Sequence, residues 1–299
     1  MPALTTNRFL DPKVLASISS LDLIARTVVE GFVAGLHRSP DFGFSQEFAE
    51  YRPYTSGDDL RHVDWNVFAR TDKMYLKRYL GETNTELVVM LDASASMNFT
   101  SAEVSKFTYA KYLASALVYL AHLQRDSTGL IIFADLVTNL IPPSGRQGQL
   151  MRLLHAIDQA QTGTRTDYAH PLRQLQQFQR RRGITVLISD FLAPAGVVVP
   201  AIAPLRYRGN EVILFHLLDS QELQPRFRQP VLLVDMETND ALEVSPEYAR
   251  TEYTNKMSAH IESMRAQSQK EGLDYVLLRT DQPLDAALRE YFNMRQRRN

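Results

Sequence analysis

Leu87-Val88-Val89-Met90-Leu91 runs without a polar residue straight into Asp92-Ala93-Ser94-Ala95-Ser96. A short continuous apolar run bounded by turn residues reads as a strand buried on both faces. Two-faced burial means a parallel sheet covered by helices on each side. Open sheets of that kind bind ligands beyond the carboxyl ends of their strands. The D-x-S-x-S pattern of Asp92, Ser94 and Ser96 falls at that place.

Working outward, strand and helix patterns alternate. Thr100 and Glu103 predict a capping-box helix start, with Phe107, Ala110, Leu113, Ala114, Leu117 and Ala121 as its apolar stripe. Residues 129–133 predict the next strand and 137–141 an antiparallel neighbour. Helices follow at 147–160 and 171–181. A second fully apolar strand, 184–188, ends in Ser189-Asp190-Phe191, and a third covers 212–218. Segments 231–236 and 241–244 predict a hairpin around Thr238-Asn239-Asp240. Ser245-Pro246-Glu247 opens a long helix that stops at Gly272, before a strand at 275–278 and a last helix from 283 to 295. The fold expected over 85–299 is α/β, a mainly parallel sheet flanked by helices, with a hairpin insertion near 230–244.

Upstream, residues 1–41 form an N-terminal helical segment. Asp11-Pro12 starts it, and Leu21, Ile24, Ala25, Val28, Val29 and Phe32 recur at helical spacing. Residues 42–84 mix aromatic and β-branched residues with Pro53, Gly57 and an acidic cluster, which reads as a small β-rich unit. Its Phe48, Tyr54 and Trp65 call for apolar partners, and a unit of about 40 residues without staples rarely folds alone. It is therefore expected to pack on the main domain. The cluster Asp58, Asp59, Arg61 and Asp64 is read first as an ion-paired brace, with a second metal or a docking face as the other reading.

Composition removes several functions. The chain of 299 residues carries 33 Lys and Arg against 34 Asp and Glu, a formal net charge of -1. That balance argues against a protein devoted to nucleic acid or anionic membrane. The runs Arg180-Arg181-Arg182 and Arg295, Arg297, Arg298 are read as cationic helix ends. Cysteine is absent, which excludes disulfides, thiolate metal sites and cysteine nucleophiles. The charge-free run 191–205 is broken by Pro194, Pro200 and Pro204 and is shorter than the ~20 apolar residues a bilayer needs. No basic region followed by an apolar one marks a signal peptide, so a cytoplasmic location is expected. The chain has no G-x-x-x-x-G-K-[ST], no G-x-S-x-G and no H-E-x-x-H.

What remains is oxygen chemistry. Asp92, Ser94 and Ser96 follow one strand, Asp190 follows another, and Gly163-Thr164-Arg165-Thr166-Asp167 joins two helices. Carboxylates and hydroxyls without His or Cys suit a hard cation, Mg²⁺ or Mn²⁺. Two carboxylates leave such an ion undercharged and ready to accept a carboxylate from outside. A metal-dependent hydrolase is the alternative. It needs a general base, for which only Asp167 and His170 stand spare.

Leu91-Asp92-Ala93-Ser94-Ala95-Ser96-Met97, with Thr166-Asp167-Tyr168-Ala169 through Leu172 and with Ser189-Asp190, resembles a von Willebrand factor A domain. The resemblance implies a metal-ion-dependent adhesion site made of Asp92, Ser94, Ser96, Thr166 and Asp190, with Thr164 as the alternative threonine. Gly43 to Phe48, Tyr51-Arg52-Pro53-Tyr54, Gly57 to Arg61, Val63-Asp64-Trp65 and Ala69-Arg70 are similar to the bacterial family labelled domain of unknown function fifty-eight, which carries this block before an A domain. That resemblance covers residue 35 to the end. It implies a non-enzymatic, divalent-metal-dependent protein-interaction factor, an adaptor or co-chaperone. Its partner would be a MoxR-type AAA+ ATPase, or a client protein supplying the carboxylate.

Overall fold

The computed structural model describes residues 11–36, 48–54, 63, 65–71, 73–79, 85–178, 182–207, 209–237 and 240–298. The acidic cluster at 58–62 and 64 and the block 43–47 lie outside the described residues. Residues 33–84 form one compact unit, and the rest of the chain forms the other.

In the larger unit, α1 (Pro12–Leu15) starts where Asp11 accepts the Lys13 N–H at 2.9 Å. In α2 (Leu21–Leu36) the expected stripe is buried, with Ala25, Val28 and Val29 fully enclosed. The smaller unit pairs β1 (Phe48–Pro53) antiparallel with β2 (Tyr75–Tyr79), with α3 (Trp65–Thr71) between them in sequence. Trp65, expected to be packed away, is 55% exposed and sits edge-on to Phe68.

The main sheet holds β3 (Glu86–Asp92), β4 (Ser127–Phe133), β5 (Val137–Ser144), β6 (Gly183–Ser189) and β7 (Glu211–Leu218). Past β7 come the two-stranded hairpin of β8 (Val231–Val234) and β9 (Ala241–Val244), and then the sheet's last strand, β10 (Asp274–Arg279). The order across the sheet is β10-β7-β6-β3-β4-β5, parallel throughout except for β5, which runs antiparallel at one edge. This is the mainly parallel sheet, flanked by helices, that the apolar runs predict. β6 is buried along its whole length, and β3 and β4 are buried after their first residue. In the register of β3 on β6, Leu91 faces Ile188, so Asp92 and Ser189 leave the sheet at the same level.

The helices correct several expectations. α4 (Lys106–Leu123) begins five residues later than the Thr100–Glu103 pattern implies. Thr100 Oγ1 donates to the carbonyls of Ala102 and Val104 instead, and Ser105 Oγ accepts the Thr108 N–H at 3.1 Å. A hydroxyl can satisfy a loop as readily as a helix end, and only the three-dimensional path decides between them. After α5 (Gln149–Asp158), α6 (Ala169–Phe178) starts two residues before the expected 171. The run 191–205, read only as too short to span a bilayer, forms α7 (Ala195–Ile202) and α8 (Pro204–Tyr207). Its prolines hide them: Pro194 precedes α7, Pro200 lies within it and Pro204 starts α8. Among the described residues no helix is long and apolar enough to cross a membrane.

A one-turn helix, α9 (Ser220–Leu223), follows β7. The long helix after Ser245 is interrupted: α10 (Pro246–Tyr248) passes through a π-helical turn at Ala249–Tyr253 into α11 (Thr254–Lys270). α12 (Asp285–Arg298) ends the described chain.

The corrected helix start is testable. Ser105→Ala should cost about 1 kcal/mol in urea denaturation through loss of the N-cap. Glu103→Ala, exposed and outside the helix, should leave the midpoint unchanged.

Candidate functional site

Asp92 ends β3, fully buried, and its two oxygens are held in place. The Ser94 N–H donates to Oδ1 at 2.8 Å and the Ser189 hydroxyl to Oδ2 at 2.5 Å. Tyr168 donates in turn to Ser189 Oγ at 2.9 Å, so a loop and two strands fix one carboxylate. The Oγ atoms of Ser94 and Ser96 lie 3.1 Å apart. The D-x-S-x-S loop thus gathers two hydroxyls over the carboxylate it follows.

The threonine loop is stapled to this one by its backbone. The Gly163 N–H donates to Ala93 O at 2.6 Å and the Ala95 N–H to Thr164 O at 2.8 Å. Position 163 must be glycine for this approach, because a Cβ there would stand 2.9 Å from Ala134 Cβ. Thr164 contributes its carbonyl and leaves its side chain exposed, while Thr166 turns into a cleft of about 360 Å³. Ser96 and Asp190 line that cleft, with Phe99, Tyr168, Leu192, Ala193, Glu222 and residues 234–237. Asp92 and Ser94 lie beneath it, fully buried. The structure therefore brings Asp92, Ser94, Ser96, Thr166 and Asp190 to one edge of the sheet, with Thr166 rather than Thr164 facing the opening. Asp167 and His170, the spare candidates for a general base, are not among the residues lining the cleft.

Three site residues escape the sequence reading. Lys106, the first residue of α4, is fully buried, and its Nζ donates to Asp190 Oδ2 at 2.8 Å and to Glu222 Oε1 at 2.6 Å. Its signal was present: Lys106 shares the apolar stripe with Ala110, Leu113 and Leu117, and a lysine on a buried stripe needs a carboxylate partner. Glu222 closes a capping box on Asp219 and carries no separate sequence mark. Glu237, beyond β8, accepts from Thr166 Oγ1 at 3.1 Å. A hairpin residue could not be assigned to this cleft from spacing.

Phe191 adds strain beside Asp190. Its φ is 40°, a left-handed conformation that a bulky side chain adopts only under constraint. Its N–H donates to Ser189 Oγ at 3.1 Å, its carbonyl meets His260 Nε2 at 2.8 Å, and its ring stacks on Tyr168 at 5.8 Å. These contacts hold the turn that directs Asp190 to the cleft.

Electrostatics favours a cation here. Burial first, and the neighbouring Asp190 second, push Asp92 up to about 7. Burial works against the Lys106 ammonium, yet Asp190 and Glu222 outweigh it and hold its pKa above the ordinary value. Burial also pushes Glu222 up, with Lys106 opposing. Lys106 thus serves Asp190 and Glu222, whereas no cationic side chain among the described residues pairs with Asp92. No group of three or more His, Asp or Glu side chains able to hold an ion occurs among the described residues. An ion would rest on Asp92, Asp190 and hydroxyls, a donor set that suits Mg²⁺ or Mn²⁺ with water completing the shell.

A family model described as "Protein of unknown function DUF58" matches residues 50–263. The chain belongs to that family. The uncharacterized protein Rv1480 of Mycobacterium tuberculosis is 30% identical over 293 residues, 96% of this chain and 91% of its own length. The uncharacterized protein Mb1516 of Mycobacterium bovis matches to the same extent. Among solved structures, the conserved hypothetical protein BatB from Bacteroides thetaiotaomicron aligns at a TM-score of 0.48 and 16% identity, covering 70% of this chain and 98% of its own. The VWA domain of SpRpn10 aligns at 0.41 and 10% identity, covering 68% of this chain and 93% of its own.

Removing the ammonium should expose the balance at the site. Lys106→Met leaves Asp190 and Glu222 buried without their counter-charge and should cost about 3–5 kcal/mol in urea denaturation with EDTA present. A loss near 1 kcal/mol would mean that the carboxylates do not depend on Lys106.

Proposed function

We propose that this DUF58 protein is a divalent-cation-dependent protein-interaction module and not an enzyme, an adaptor or co-chaperone that works with a MoxR-type AAA+ ATPase. The observation that carries the reading is the gathering of Asp92, Ser94 and Ser96 beneath a cleft walled by Thr166 and Asp190. Asp92 and the two serines would hold Mg²⁺ or Mn²⁺, with Thr166 and Asp190 on its open side. When bound, the ion supplies a Lewis-acidic position that accepts a carboxylate oxygen from another protein.

The residues of the chain do the rest. Ser189 and the Ser94 N–H orient Asp92, and Lys106 takes part of the charge of Asp190. Fewer neutralising anions around the ion favour an added one. Specificity would come from the rim, where Leu192, Val234 and Met236 are 46%, 52% and 44% exposed. A bare carboxylate binds many ions weakly, and apolar contact on a rim of this kind discriminates among carboxylates. The ATPase is the partner that the family resemblance implies. The chain itself carries no P-loop motif, so energy for any driven process would come from outside it.

The test is retention of an ATPase by the tagged full-length protein in native cell extract. The ATPase should be held in Mg²⁺, lost in EDTA and regained when Mg²⁺ is restored. Asp92→Ala and Ser96→Ala should lose it with unchanged far-ultraviolet circular dichroism, and Asp92→Ala should abolish Mn²⁺ binding in calorimetry. Equal retention in EDTA would overturn the docking role of the ion. Metal-dependent turnover of a phosphate ester or amide, abolished by Asp92→Ala, would favour the hydrolase.

A further inference from the structure

The β8–β9 hairpin brings a carboxylate of this chain into the cleft. Asp235 Oδ1 accepts the Glu237 N–H at 2.7 Å, and the Asp235 N–H donates to Asp240 O at 2.8 Å. This turn points Glu237 inward, where its Oε1 accepts from Thr166 Oγ1 at 3.1 Å. Thr166 is itself a candidate ligand, so Glu237 stands one hydroxyl away from the place of the ion. Asp190 and Glu222 line the same cleft, with the Lys106 ammonium bonded to both. Glu237 lines this cleft with them. A cation on Asp92 would attract the Glu237 carboxylate.

We propose that Glu237 is a tethered stand-in for the carboxylate of a partner: it occupies the open side of the ion site in the resting protein, and a partner binds by displacing it. This rests on the cation reading above and adds to it a competitor and a recognition chemistry. A carboxylate on a short tether acts at an effective concentration on the order of millimolar. A free carboxylate of low affinity is then excluded, and an incoming segment must bring further contacts. The hairpin shows what those are. Val234 and Met236 flank the acidic residues and face the rim with Leu192, each of them substantially exposed. The partner segment is therefore an acidic residue on an extended strand with an apolar neighbour, as in Val234-Asp235-Met236-Glu237.

The experiment uses the full-length protein with Mn²⁺ and a fluorescent peptide, Leu-Val-Asp-Met-Glu, copying residues 233–237. Fluorescence anisotropy should show Glu237→Gln binding the peptide about tenfold more tightly than wild type, since removing a competitor restores the fraction of open sites. Glu243→Gln, on the exposed side of β9, should bind as wild type does. EDTA should abolish binding, as should replacing both acids of the peptide by their amides. Calorimetry with Mn²⁺ alone separates the two possible failures. If wild type takes up the ion and the peptide binds wild type and Glu237→Gln alike, or binds neither, the stand-in is overturned and the ion site survives. If neither protein takes up Mn²⁺, the cation reading falls and this inference with it.

Discussion

Two carboxylates buried at one end of a parallel sheet are the constraint around which this molecule is arranged. β3 and β6 are neighbours in register, so Asp92 and Asp190 leave fully buried strands within one residue of the same level. Burial of a carboxylate is expensive unless hydrogen bonds or opposite charge repay it. The surroundings of the two acids are an answer to that cost. Ser94, Ser189 and, through Ser189, Tyr168 serve Asp92 with neutral donors. Lys106 serves Asp190 with charge.

The division of labour separates holding from offering. Asp92 and Ser94 lie under the cleft and are closed to solvent, whereas Ser96, Thr166 and Asp190 reach it. Phe191 pays in backbone strain for the turn that aims Asp190, and the Tyr168 stacking and the His260 hydrogen bond keep that turn in place. A site fixed from three elements resists distortion. The hairpin that overhangs it is of a different kind, a two-stranded ribbon bearing exposed Leu232, Val234 and Leu242. Two-stranded ribbons are marginal by themselves, which suits the displacement proposed for Glu237.

Much of this was legible in the chain. The unbroken runs at 87–91 and 184–188 named the central strands because only a strand covered on both faces can afford no polar residue. The loop after each strand then named the candidate ligands, since the carboxyl edge is the end of such a sheet that is open to solutes. Local hydrogen bonding was less legible. Thr100 and Glu103 satisfied a capping pattern in sequence and a loop in space, while Ser105 took the helix. Three prolines masked α7 and α8: Pro194 and Pro204 sit at helix starts, where proline fits, but Pro200 lies inside α7, where proline propensity argues against a helix.

Sequence alone determined the sheet, its buried strands and the oxygens of Asp92, Ser94, Ser96 and Asp190 at its edge, because periodicity and strand ends are local properties of the chain. Tertiary structure alone decided which threonine faces the cleft, that Lys106 neutralises Asp190 and Glu222, and that Glu237 meets Thr166 across 71 positions of sequence. Those pairings join residues whose separation along the chain carries no periodic signal. They exist because buried charges must find partners wherever the fold happens to bring them.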